Sequence, residues 1–135
     1  MARYDIAVIG GGPAGLMAAL AAAEAGKYSG KLSIAVLEKN PRVGKKLLIT
    51  GNGRCNLTNQ KLEMCRYHGD IAEAERVLEL LPPQKVVRFF EEKGLLCREE
   101  GQGRVYPQSG QASSVLDVLR LHLSRLGVEE RCGFP

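Results

Sequence analysis

Gly10, Gly12 and Gly15 stand in Gly-x-Gly-x-x-Gly spacing between the short apolar run Ile6-Ala-Val-Ile9 and an alanine-rich segment. Strand, glycine turn and helix in that order can bind the pyrophosphate of a dinucleotide. Gly10 permits the tight turn, Gly12 lets the backbone approach the phosphates, and Gly15 lets helix and strand pack closely. Pro13 suits the first helical turn, because its φ is preset and its missing N–H is not needed there. The free N–H groups of that turn, next to Pro13 and Ala14, and the positive end of the helix dipole then face the anion. A second candidate is Glu38, at the end of the next apolar run, Leu32–Leu37. An acid there can accept hydrogen bonds from both ribose hydroxyls of an adenosine. It comes slightly later than the roughly 20 residues expected after the last glycine, and the polar stretch Lys27–Lys31 accounts for the excess. Arg42 is close enough to read a 2′-phosphate, but an acid at position 38 argues against one.

The third group lies in Gly44–Asn59, which mixes cations, glycines and side-chain amides. Gly51 and Gly53 can adopt positive φ, so that successive backbone N–H groups converge on an anion or a ring carbonyl. Arg54 adds a fork of donors, and Asn52, Asn56 and Asn59 add amides that donate and accept. Taken alone, these are ordinary turn residues of an exposed loop. Their place directly after the second strand of a dinucleotide unit gives them a second meaning. Cys55 stands beside Arg54 and the amides, a setting able to lower a thiol pKa.

These residues need a β-α-β unit to position them. The helix is expected from Pro13 to Ala25 with Gly26 as its stop, and Ala14, Ala18, Ala21, Ala22 and Ala25 form a small-residue surface suited to a sheet. The first 38 residues thus read as a unit for the ADP half of FAD or NAD. Beyond residue 60 the pattern predicts a helix from an Asp70 N-cap to Leu81, a break at Pro82-Pro83, and a helix over 84–93 ending at Gly94. Leu95–Glu99 and Arg104–Tyr106 flank Gly101-Gln-Gly103 as a short hairpin. Ser113 or Ser114 caps a last helix to about Leu126, with Val115, Leu119, His122 and Leu126 on one stripe. A further strand of the sheet is expected at Val128–Cys132. His122 and His68 read as packing or surface residues.

Gly10-Gly-Gly-Pro-Ala-Gly-Leu16, Glu38-Lys39-Asn40 and Gly44-Lys-Lys-Leu-Leu-Ile-Thr-Gly-Asn-Gly-Arg-Cys-Asn-Leu-Thr-Asn59 together resemble the bacterial HI0933-like flavoproteins. These are grouped as NAD(P)/FAD-dependent oxidoreductases or aminoacetone-oxidase-like FAD-binding enzymes. Phe89–Leu95, Gly103–Pro107 and Ala112–Leu116 follow the same family order, and Asn52 is a departure, where members often carry glycine. The resemblance implies an α/β, Rossmann-like FAD-binding fold: residues 1–60 give the dinucleotide and flavin loop, and 61–135 a helical and hairpin extension leading back to the sheet. It implies a cofactor-binding set of Gly10, Gly12, Pro13, Ala14, Gly15, Glu38, Lys39, Lys45, Lys46, Gly51, Gly53, Arg54, Cys55 and Asn56. The glycines hold the FAD pyrophosphate, Glu38 the ribose, and Lys45 to Asn56 the flavin side. Members run two to three times this length, so the chain is expected to be the truncated N-terminal portion of a two-domain flavoprotein, with NAD(P)H as electron donor. No catalytic residue and no substrate can be named.

Composition bounds the rest. At 44% apolar residues over 135 positions, the chain can build a globular core. No run reaches the ~18 apolar residues of a membrane span, and Met-Ala-Arg-Tyr leads straight into the first strand without room for a signal peptide. Cys55, Cys65, Cys97 and Cys132 form no Cys-x-x-Cys pair, so no metal is expected and a cytoplasmic location is. The net charge of +4 suits an anionic dinucleotide; without a basic helix or a stacking platform, no nucleic-acid partner is expected. Two rivals stand beside the flavoprotein reading: an NAD(P)-dependent dehydrogenase without flavin, and a non-catalytic dinucleotide-binding fragment.

Overall fold

In a computed structural model, which describes residues 3–30 and 32–134, β1 (Ile6–Ile9), α1 (Pro13–Ser29) and β2 (Ile34–Glu38) form the expected β-α-β unit. β1 and β2 run parallel, with Ile6 opposite Ile34 and Ile9 opposite Leu37. The last strand, β6 (Glu129–Cys132), pairs in parallel with the other edge of β2. Strand order is therefore β1-β2-β6. A strand covered on both sides reads as a continuous apolar run, and Ile34, Ala35 and Val36 are all buried. β1 stands at the sheet edge.

α1 departs from expectation twice. It continues through Gly26 and ends at Gly30, whose φ is 117°. Gly26 is in the helix because its bare Cα receives Leu32; a Cβ there would lie 3.1 Å from the Leu32 side chain. The face that packs inward is Leu16, Ala19 and Leu20, each fully buried, while Ala14, Ala18, Ala21 and Ala25 are exposed. A helix apolar nearly all round carries little phase information, so the alanine stripe named the wrong face.

α4 (Ala112–Arg125) packs on α1, and Leu16, Leu20, Ile34, Val36, Leu119 and Leu123 form one core. Its N-cap is Gln111, not Ser113 or Ser114, and no side chain caps it; Ser114 Oγ instead shares a hydrogen bond with Ser109 Oγ at 2.8 Å. His122 Nε2 lies 3.1 Å from the Lys93 carbonyl, a packing contact between α4 and the chain just before Gly94.

α2 (Ile71–Leu80) starts at Asp70, whose carboxylate accepts from the Glu73 N–H, and α3 (Pro83–Glu92) carries Pro83 in its first turn. β4 (Cys97–Glu100) and β5 (Arg104–Pro107) are antiparallel, closed by a turn with Gln102 at φ 67°. A two-residue strand, β3 (Thr58–Asn59), adds to β5 to give the order β3-β5-β4. β3 is too short to leave a periodic signal. It matters because it attaches the end of the Gly44–Asn59 segment to the hairpin, with Leu57 donating to the Val105 carbonyl at 2.8 Å.

Candidate dinucleotide site

The glycine turn is where β1 hands over to α1. Gly10 has φ 97°, a left-handed conformation that favours glycine, and its N–H reaches the Leu37 carbonyl at 2.8 Å. A Cβ on Gly15 would run into the Gly10 carbonyl, which is the close helix–strand packing expected of that position. A Cβ on Gly12 would meet nothing within 4 Å. Gly12 is thus bare toward open space, beside a first turn with no side-chain cap and no acid. That turn offers its N–H groups and the helix dipole to an anion.

Gly11 has a role that its spacing did not disclose. A Cβ on it would come 2.5 Å from Val43 Cγ1 and 3.1 Å from Glu38 Oε2. Its carbonyl accepts from Gly44 N at 2.7 Å, so the turn, the end of β2 and the start of the second loop are stitched together at this residue.

Glu38 is buried at the end of β2. Its Oε1 accepts from the Asn40 N–H at 2.8 Å and from Asn40 Nδ2 at 2.6 Å, and Oε2 accepts from the Gly11 N–H at 2.7 Å. Those donors, the Asn40 N–H first and Gly11 next, hold its carboxyl below the ordinary carboxylate value, against the opposing effect of burial. An ionised carboxylate has about four acceptor sites. Oε2, with one donor in place, retains room for a hydroxyl.

Two cavities flank the turn. One of about 390 Å³ is lined by Ile9, Gly10, Leu37, Glu38, Lys39, Asn40 and Phe134. The other, about 250 Å³, lies between Pro13 and Met17 of α1 and Thr50, Cys55, Asn56 and Leu57 of the second loop. Ile9 and Phe134 give the first an apolar wall, and both are well exposed. Phe134 stands almost a hundred residues from Glu38 in sequence but donates its N–H to the Glu38 carbonyl at 3.0 Å. No local signal could have placed it there.

The second loop has the expected left-handed residues, with Gly51 at φ 55°, Asn52 at 56° and Gly53 at 80°, and Cys55 joins them at 57°. Asn52 therefore takes without difficulty the conformation a glycine would. The expected convergence of N–H groups on an anion is corrected. Gly53, Arg54 and Cys55 all donate to the Thr50 carbonyl, at 3.0, 3.2 and 3.0 Å, so the loop closes on itself. Arg54 is not a free fork either, since it pairs with Glu100 and lies over Tyr106, 4.1 Å from the ring centroid. Cys55 is also corrected. Burial raises its pKa and outweighs a hydrogen bond from Thr50. Lys39, Lys45 and Lys46 are exposed and form no ion pair among the described residues.

The structure thus brings Gly10, Glu38 and Asn40 into one pocket wall and sets Thr50, Cys55 and Asn56 across a second cavity from Pro13. The described residues contain no cluster of ligands for a metal, and no described helix is long and apolar enough to cross a membrane.

Comparison with known proteins identifies the family and the fold. The family described as HI0933-like protein Rossmann domain matches residues 4–133. The 3-dehydro-bile acid delta(4,6)-reductase of Clostridium scindens is 42% identical over 92% of this chain and 30% of its own. The ribosomal RNA dihydrouridine synthase of Haemophilus influenzae is 25% identical over 96% of this chain and 31% of its own. Among solved structures, THI4 of Thermovibrio ammonificans superposes with a TM-score of 0.59 at 19% identity, over 96% of this chain and 38% of that one. BexE gives a TM-score of 0.50 at 21% identity, over 97% and 24%. These last two speak for the fold alone. The chain spans less than a third of the length of the two curated relatives.

Proposed function

The chain belongs to the HI0933-like Rossmann-domain family, and from that membership we propose that it is the FAD-binding portion of a flavin oxidoreductase supplied with electrons by NAD(P)H. The observation that carries the reading is the open face of Gly12 between two cavities, with a buried carboxylate on one side and a structured loop on the other. Those residues fit an extended dinucleotide. Gly10 and Gly12 leave the backbone bare for a pyrophosphate, and the first turn of α1 donates to it. Glu38 Oε2 accepts from a ribose hydroxyl, beside an apolar wall of Ile9, Leu37 and Phe134 suited to an adenine face. Lys39, Lys45 and Lys46 supply positive potential to an anionic ligand. Thr50, Cys55 and Asn56 line the cavity on the far side of Pro13, where the flavin end would lie. FAD, when bound, carries the hydride chemistry, while the protein supplies position and electrostatics.

The relatives' names divide the substrate class between a small organic acceptor, a 3-dehydro-bile acid, and ribosomal RNA. The higher identity, 42% against 25%, favours the small acceptor, and nucleic acid is retained as the second reading.

The test is an absorbance spectrum of the purified chain followed by separate titrations with FAD and NADH. A yellow protein with one flavin per chain supports the proposal. A colourless protein that binds NADH but not FAD replaces it with the NAD(P)-dependent dehydrogenase, and one that binds neither replaces it with a fragment lacking a competent site.

A further inference from the structure

Arg54 sits on the proposed flavin loop, yet its guanidinium is turned away from the cavity and onto the β4–β5 hairpin. It pairs with Glu100 at the end of β4 and lies over Tyr106 of β5, 4.1 Å from the ring centroid. Tyr106 is itself buried, and the position a Gly51 Cβ would occupy is 3.4 Å from the same ring. Glu100 Oε1 also receives Arg98 Nη2 at 2.9 Å, so a single carboxylate neutralises two arginines. Other contacts also hold the loop: Gly53 O accepts from Ala112 N at the start of α4, 2.7 Å away, the Leu57 N–H donates to the Val105 carbonyl at 2.8 Å, and β3 pairs with β5. Arg54 is the side-chain anchor on the hairpin, directly before Cys55 and Asn56 in sequence.

We propose that Glu100 is a positioning residue which, through Arg54, sets the placement of Thr50, Cys55 and Asn56 opposite Pro13 and thereby the binding of the flavin end of the cofactor. The inference rests on reading that cavity as the flavin side of an FAD site. Glu100 lines neither cavity flanking the turn, so it acts only through the arginine. Arginine suits the task because its planar head can stack on a ring and hydrogen-bond a carboxylate together, which a lysine cannot. Glu100 in turn is held ionised by the Arg54 hydrogen bond, which depresses its pKa. Loss of that charge leaves Arg54 and Arg98 uncompensated beside each other, and the loop loses its seat on Tyr106.

The test compares wild type with E100Q, E100D and R54K, titrated separately with FAD and with ADP, which spans only the adenosine side. Maleimide labelling of Cys55, read by peptide mass spectrometry, follows the loop without any cofactor. For E100Q the expected result is ADP affinity within about twofold of wild type, FAD affinity down by about tenfold or more, and a shifted flavin spectrum. E100D recovers part of the FAD affinity, R54K behaves as E100Q does, and Cys55 labels about tenfold faster in E100Q because the loop no longer encloses it. E100Q with wild-type FAD binding and wild-type Cys55 labelling overturns the inference. Equal loss of FAD and ADP in both E100Q and R54K also overturns it, since the pair would then be serving the fold at large. Failure of the flavin reading shows separately, as wild-type protein that takes up ADP but no FAD, and it removes the inference with it.

Discussion

The Gly11 N–H donates to Glu38 Oε2 at 2.7 Å, which makes the glycine turn and the end of β2 a single unit. The acid proposed for ribose recognition is therefore also a brace for the backbone proposed to hold the phosphates. Glu38→Gln places an amide opposite that N–H or leaves it with a weaker neutral acceptor. Dinucleotide affinity and thermal stability should fall together. The pH dependence has a definite sign. With its folded pKa below 4.5, Glu38 contributes stability fully above the unfolded value, and that stability is lost as pH falls through the folded one. Thermal melts of wild type and E38Q should differ at pH 7 and converge once the pH is well below 4.5. A constant gap down to acid would contradict the assignment.

Neighbouring glycines should separate folding from binding. Gly12→Val projects into open space, so the variant should melt near wild type yet lose dinucleotide affinity by about a hundredfold, as its side chain occupies the phosphate approach. Gly11→Ala drives a methyl into Val43 and should cost about 1–3 kcal/mol of stability by overpacking. Denaturant unfolding and FAD titration of both variants give the comparison. Unchanged FAD binding in G12V would displace the cofactor from this turn.

The core under the site makes its own prediction. Leu119 and Leu123 of α4 are fully buried against α1. Leu123→Ala should cost about 2–5 kcal/mol, whereas Leu121→Ala, nearly half exposed, should stay within roughly 0.5 kcal/mol. Urea midpoints report both.

Cys55 should behave as an inert thiol. Its pKa is raised above the ordinary 9.0 by burial, so alkylation of wild type at neutral pH should modify exposed Cys65 and Cys132 well before Cys55. Its rate should still be rising past pH 9.0. Early plateau of the Cys55 rate near neutrality would revive a redox role.

Features governed by neighbours in sequence were legible, and those governed by distant partners were not. Gly-x-Gly-x-x-Gly between strand and helix, the Asp70 cap and the Pro82-Pro83 break are all local, and the structure has each of them in place. The inward face of α1 is not legible locally, because alanines surround the helix and only the position of the sheet and α4 decides which side is covered. Gly26 looked like a stop because its actual partner, Leu32, lies outside the helix. The glycines of the second loop announce left-handed residues, but its backbone N–H groups turn on the Thr50 carbonyl and its arginine on Glu100. That arginine's partner is 46 residues away, beyond the reach of any spacing rule. Phe134 belongs to the same class, brought to Glu38 only by the pairing of β6 with β2.

The order β1-β2-β6 leaves β1 with one partner, and Ile9 at its end is 80% exposed. Along that outer side the backbone carries donors and acceptors with no strand against them among the described residues. A row of this kind is an adhesive template for any extended segment that meets it. The chain handled by itself therefore has two competing fates at high concentration, remaining a monomer or zipping edge to edge with its own copies.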